Sequence, residues 1–154
     1  MRWTFLEVML DQLILALLSI DSDDTGVSLT SNIDFREKIQ IALAVGLKKK
    51  LDEVWYDKLK ELLDQIDNDL RLQRNRYVHD LWTLSGTQIK KLQFKTSIKR
   101  PQARMPLELK TQHETIVSPE EIWSLAEKIN LAAGHVALSA QAYQIYTRRA
   151  SRKK

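Results

Sequence analysis

Apolar side chains recur at Phe5, Leu6, Met9, Leu10, Leu13, Leu17 and Ile20, a spacing that predicts a helix over 3–20. Its other faces carry Trp3, Val8, Ile14, Leu15 and Leu18. A helix apolar nearly all round needs cover on more than one side, and in a chain this short a second subunit is expected to supply part of it. The polar segment at 21–32 reads as a loop with a short extended piece at Val27–Thr30. Asp34 followed by Glu37 has the form of a capping box opening a second helix, with Ile39, Ala42 and Val45 inward and an end near Gly46 or the lysines at 48–50. A third helix opens around Asp52. Its stripe of Trp55, Leu59, Leu62, Leu63, Ile66 and Leu70 continues in phase to Arg74, Tyr77 and Val78.

After Trp82 the period changes from helical to two. Leu92, Phe94, Thr96 and Ile98 alternate, as do Leu107, Leu109, Thr111, His113 and Thr115, with Pro101 and Pro106 between the runs. This predicts a β-hairpin with a long tip over about 88–117. Ser118, Pro119 and Glu121 then open a last helix, with Ser118 as N-cap and Glu121 completing the box. Its inward stripe is Ile122, Ala126, Ile129, Ala133, Val136, Ala140 and Tyr143. The fold expected is mainly α: an up-and-down bundle of about four helices with a β-hairpin inserted before the last. It is read as one domain over 1–147, followed by a basic tail at 148–154.

At 154 residues, 44% hydrophobic and 29% charged, the chain is of ordinary globular composition. It has no cysteine, which excludes disulfides, thiolate catalysis and Cys-ligated metals, and fits a reducing cytoplasm, the location expected. The run Leu13–Ile20 is too short to span a bilayer and lacks the flanks of a signal peptide, so no membrane partner is expected. The net charge of +4 is uneven. Residues 1–82 hold eleven basic against fifteen acidic side chains, whereas residues 83–154 hold thirteen against five. The basic half permits a polyanionic partner such as RNA.

The candidate chemistry lies in Leu72–Trp82, "LQRNRYVHDLW". Its basic residues suit a helix C-terminus, where the macrodipole favours them, and a lone histidine there is commonly structural. On the other side, Arg74 continues the apolar stripe, where a charge is costly unless partnered or lining a cleft. Asn75 and His79 stand four apart, so on a continuous helix the amide could orient the imidazole. Arg74 and His79 stand five apart, about 140° around a straight helix, and converge only with a bend, a helix end or a second copy. A structural core with Arg74 neutralised by Asp67, Asp69 or Asp80 is a further possibility.

Arg74-Asn75-Arg76-Tyr77-Val78-His79 resembles the R-x4–6-H motif of the HEPN superfamily (higher eukaryotes and prokaryotes nucleotide-binding domains), in its "RNxxxH" form. The likeness covers the helices in outline and specific residues only at 74–79. Where many members carry a small residue after the histidine, this chain has Asp80. The resemblance implies a helical homodimer whose two motifs share one cleft. It also implies a metal-independent endoribonuclease, of a toxin or defence system, with an antitoxin protein, often a small nucleotidyltransferase, as a further partner. On that basis Arg74, Asn75 and His79 are the expected catalytic residues, with no cofactor. His79 would take the proton from the 2′-hydroxyl, a role suited to imidazole. Arg74 would hold the phosphate oxygens, and Asn75 would orient His79 or bond a phosphate oxygen. Arg76 and Tyr77 are further candidates at the RNA, for phosphate contact and base stacking, with a place in the core equally open to Tyr77. Lys90, Lys91, Lys95, Lys99, Arg100 and Arg104 of the hairpin would track the backbone, the alternative being lysines that guard a strand edge. No metal site is expected, since His113 and His135 have no ligand-like spacing to other donors. The rival function is a non-catalytic helical dimerisation module that binds a protein or nucleic acid.

Overall fold

The computed structural model describes residues 2–20, 29–49, 52–85, 88–95 and 110–151. It is mainly helical. The elements are α1 (Arg2–Leu18), α2 (Phe35–Lys48), α3 (Glu53–Gln65), a π-helical segment (Ile66–Leu70), α4 (Arg71–His79), β1 (Leu81–Ser85), β2 (Gln88–Lys95), β3 (Lys110–Ile116) and α5 (Pro119–Ser151). Since α3, the π segment and α4 follow without a break, they form one long helix, and these elements amount to four helices among the described residues, with a small sheet before the last.

The chain falls into two compact units. The first comprises residues 1–72 and 126–154, the second residues 73–125. In the first, α1 is buried along Leu6, Leu10, Leu13, Ile14 and Leu17 and packs on α2. Phe5, Val8 and Leu18 of α1 remain exposed. Trp3 packs on Phe35 with ring centroids 4.6 Å apart. Lys38 and Asp11 join the two helices as a charge pair, Nζ to Oδ1 2.7 Å, with both side chains largely buried.

α1 ends two residues before the sequence pattern does. Ser19 takes a left-handed conformation (φ 59°), its N–H donating to Ala16 O and that of Ile20 to Leu15 O. These two bonds are the Schellman closure, usually built on glycine. Leu29 and Thr30, expected in an extended piece, are helical, while residues 21–28 lie outside those described. The start signals at α2 and α3 act as the sequence implies. Asp34 accepts from the Arg36 N–H at 2.8 Å and Asp52 from the Trp55 N–H at 3.0 Å.

α3 and α5 run antiparallel. Trp55 stands beside Tyr143, while Leu62, about two turns on, lines with His135 and Leu138 a groove of about 350 Å³. The inner stripe of α5 is Ile129, Ala133, Val136, Ala140 and Tyr143, as its spacing implies. Ile122, at the head of that stripe, is exposed.

The second unit holds more than the expected hairpin. Its sheet has three antiparallel strands in the order β1-β2-β3, with a bulge at Gln93/Phe94. β2 and β3 are the arms of the expected hairpin, and its tip, residues 96–109, lies outside those described. β1 is additional. It pairs with β2 from Leu81↔Leu92 to Ser85↔Gln88, which leaves residues 86–87 as the connection. At the start of α5, Ser118 caps the helix by accepting from the Glu121 N–H at 3.3 Å. The Glu121 carboxyl lies at the Tyr77 phenol, and a second acid of the first turn, Glu120, folds back on the cap. Its own backbone N–H and the Ser118 hydroxyl hold its carboxyl below the ordinary range. Among the described residues, no helix is long and apolar enough to cross a membrane.

Candidate functional site

The stripe on the long helix does not run on to Arg74, Tyr77 and Val78. It is buried at Leu59, Leu63, Ile66 and Leu70 and then stops, Val78 being 54% exposed. The π segment, Ile66–Leu70, is the last stretch of the helix with buried residues, and α4 has none. Asp67 lies within this segment, mostly buried, and its carboxylate pairs with Arg71 one turn on and with Arg36 of α2, Nε to Oδ2 3.4 Å. Asp67 is therefore engaged with these two arginines.

The motif occupies α4 and the turn after it. Arg74, half-buried, donates from Nη1 to Asn75 Oδ1 at 3.1 Å. Asn75 thus spends its amide oxygen on Arg74, and among the described residues no hydrogen bond joins it to His79. Arg76 is exposed, and His79 is exposed as the last residue of the helix. Because α4 has no π turn of its own, Arg74 and His79 keep the angle of about 140° that five α-helical residues impose. One chain presents them on different sides of one helix.

Tyr77 and Lys91, both expected at the RNA, are occupied in packing. The Tyr77 ring stacks on Trp82 with centroids 5.8 Å apart, and Lys91 Nζ lies over the same ring, 4.6 Å from its centre. Burial, and then the charge and hydrogen bond of Glu121, push the Tyr77 phenol above its ordinary value. Lys91 is only 8% exposed, and its Nζ stands 3.7 Å from Asp80 Oδ2. The Trp82 indole N–H donates to Tyr77 O at 2.9 Å, and the Asp80 N–H donates to Arg76 O at 3.2 Å. Together these contacts close the helix end and tie it to β2, where Trp82 faces Lys91 across the register.

The pattern 88–117 placed Lys91 correctly on a strand, but not which face of it is covered. Tyr77 and Asp80 at the end of α4 cover Lys91, and β1, which sequence reasoning missed, pairs with β2 alongside. Its signal was "LWTLS" and "QIKKLQFK" flanking Gly86-Thr87, a two-residue hairpin connection. Asp80, the acid after the histidine, has its carboxylate against the Lys91 ammonium, which offsets its charge. Lys90 is half-buried on β2, and Lys95 ends that strand opposite Lys110. Lys99, Arg100 and Arg104 lie outside the described residues.

No group of three or more His, Cys, Asp or Glu side chains suited to a metal ion stands among the described residues. No protein-family model matches the chain, and searches of curated proteins and of solved structures return no match.

Proposed function

We propose that this chain is an endoribonuclease of the HEPN type, acting without a metal and as a pair of copies. The observation that carries the reading is the placement of Arg74 and His79 on one short helix, His79 exposed at its end and Arg74 steadied by Asn75 about 140° around. A basic side and an imidazole side on one helix make a divided site. Two copies face to face supply both to one phosphate.

His79 takes the proton from a 2′-hydroxyl, whose oxygen attacks the adjacent phosphorus. The bond to the 5′-oxygen breaks, that oxygen is protonated from solvent, and the products are a 2′,3′-cyclic phosphate and a 5′-hydroxyl. Arg74 holds the non-bridging oxygens and stabilises the charge that grows on them. Asn75 acts through Arg74, holding the guanidinium, rather than through the histidine. Arg76 reaches the RNA backbone from the exposed side of α4, with Lys90, Lys95, Lys99, Arg100 and Arg104 extending the contact. Tyr77 and Lys91 hold the helix end instead. A toxin or defence role, a cytoplasmic location and an antitoxin protein as partner belong to the same reading.

The second reading is a non-catalytic dimerisation module, and one observation favours it. Two of the residues expected at RNA are withdrawn into packing. The test is cleavage of mixed cellular RNA in EDTA by wild type and His79→Ala, with product ends mapped. Cutting that leaves cyclic phosphates and vanishes with His79 supports the enzyme. If both proteins are folded and equally inert, the module stands and the enzyme falls.

A further inference from the structure

The last helix is apolar on two sides. Opposite the stripe buried around Val136, Leu131 and Leu138 are each 62% exposed and Ile145 is 53% exposed, with Leu138 also at the border of the groove beside α3. At 100° per residue these three lie about 180–220° around from Val136. They stand seven residues apart, the spacing of a coiled-coil seam, whose partner is another helix crossing at about 20°.

Gly134 lies beside this seam in mid-helix, where glycine weakens a helix. Among the described residues nothing asks for it, since a Cβ there would meet no atom within 4 Å. Its open side faces out.

Reflecting the helix about Leu138 pairs these features with one another. Seven residues to either side are Leu131 and Ile145, both apolar. Four to either side are Gly134 and Ala142, both small enough for two backbones to approach. Eleven to either side are Glu127 and Arg149, both exposed and of opposite charge. We propose that Leu131, Leu138 and Ile145 form the seam through which two copies of this chain pair antiparallel, with the two-fold axis at Leu138. A parallel pair would set Glu127 against Glu127 and Arg149 against Arg149. The antiparallel pair brings each Glu127 to the other copy's Arg149 and opposes the helix dipoles. The occupant is thus a helix whose charge, size and apolar positions are this helix's own in reverse, which a second copy supplies. The inference goes beyond the proposed site and rests on that reading only for the expectation that the pair is the active form.

The test is sedimentation equilibrium of the full chain, with circular dichroism confirming that each variant is folded. Wild type is expected to be a dimer at micromolar concentration. Leu138→Glu sets two like charges together on the axis and is expected to weaken the dimer at least about a hundredfold. Glu127→Arg and Arg149→Glu alone each loosen it about tenfold, and the two combined restore it. A monomeric wild type, a dimer indifferent to Leu138→Glu, or a double charge reversal without rescue overturns the seam. RNA cleavage is read separately. A monomeric Leu138→Glu that cuts as well as wild type supports the seam and refutes the two-copy site.

Discussion

Replacing Lys91 by Met keeps the apolar stem and removes only the charge, so the loss measures what the ammonium does between Tyr77 and Asp80. A cation over an aromatic ring contributes about 0.5–1 kcal/mol when exposed and about 2 kcal/mol when desolvated. At 8% exposure Lys91 belongs near the second figure. Asp80, its side chain 17% exposed, would keep its charge and lose this partner. Leaving a buried polar group wholly unsatisfied costs about 1–3 kcal/mol, an upper bound here because Asp80 keeps other contacts. The 3.7 Å separation exceeds that of a charge-assisted hydrogen bond, which places this contribution at the low end. Lys91→Met is therefore expected to destabilise the protein by about 2–3 kcal/mol, and adding Asp80→Asn to recover about 1 kcal/mol. Urea unfolding measures both, and RNA binding over a range of salt measures whether Lys91 touches phosphate. The reasoning is refuted if Lys91→Met unfolds within about 0.5 kcal/mol of wild type. It is refuted equally if the variant instead lowers the salt dependence of RNA binding by one charge.

Ser19→Gly relieves a left-handed residue at the end of α1, and thermal or urea unfolding should show a gain of about 0.5–1 kcal/mol, the lost Lys49–Ser19 bond being exposed and weak. The Tyr77 phenol has its folded-state value raised, so the neutral form is the one folding favours. Its contribution is complete below the ordinary phenol value of about 10 and lost as pH rises through the folded one. Unfolding followed across the alkaline range should show that loss, and Tyr77→Phe should flatten it. An equal alkaline loss in the variant would assign the effect to other groups.

The sequence alone determined much of the frame. Helix starts were legible at Asp34, Asp52 and Ser118 because an N-cap acts on N–H groups two or three residues away, within reach of local pattern. The inner stripe of α5 and the strands β2 and β3 were legible because hydrophobic period tracks the buried face. What escaped depended on groups distant in the chain or on phase. The apolar period runs on past Leu70 to Tyr77 and Val78, so the stripe could not announce its own end. β1 is five residues long and follows a helix directly, leaving no polar break to mark it.

The motif at 74–79 was visible as a string of letters, but which of its members stay outside was a tertiary matter. Tyr77 is taken up by Trp82, Lys91 and Glu121, of which Lys91 and Glu121 are fourteen and forty-four residues away. Arg76 and His79 stay on the surface. Sequence supplied the residue types and the helix that carries them. Long-range pairing decided which charges were already spent, because a cation covered by a ring and facing a carboxylate no longer has its field free for a phosphate.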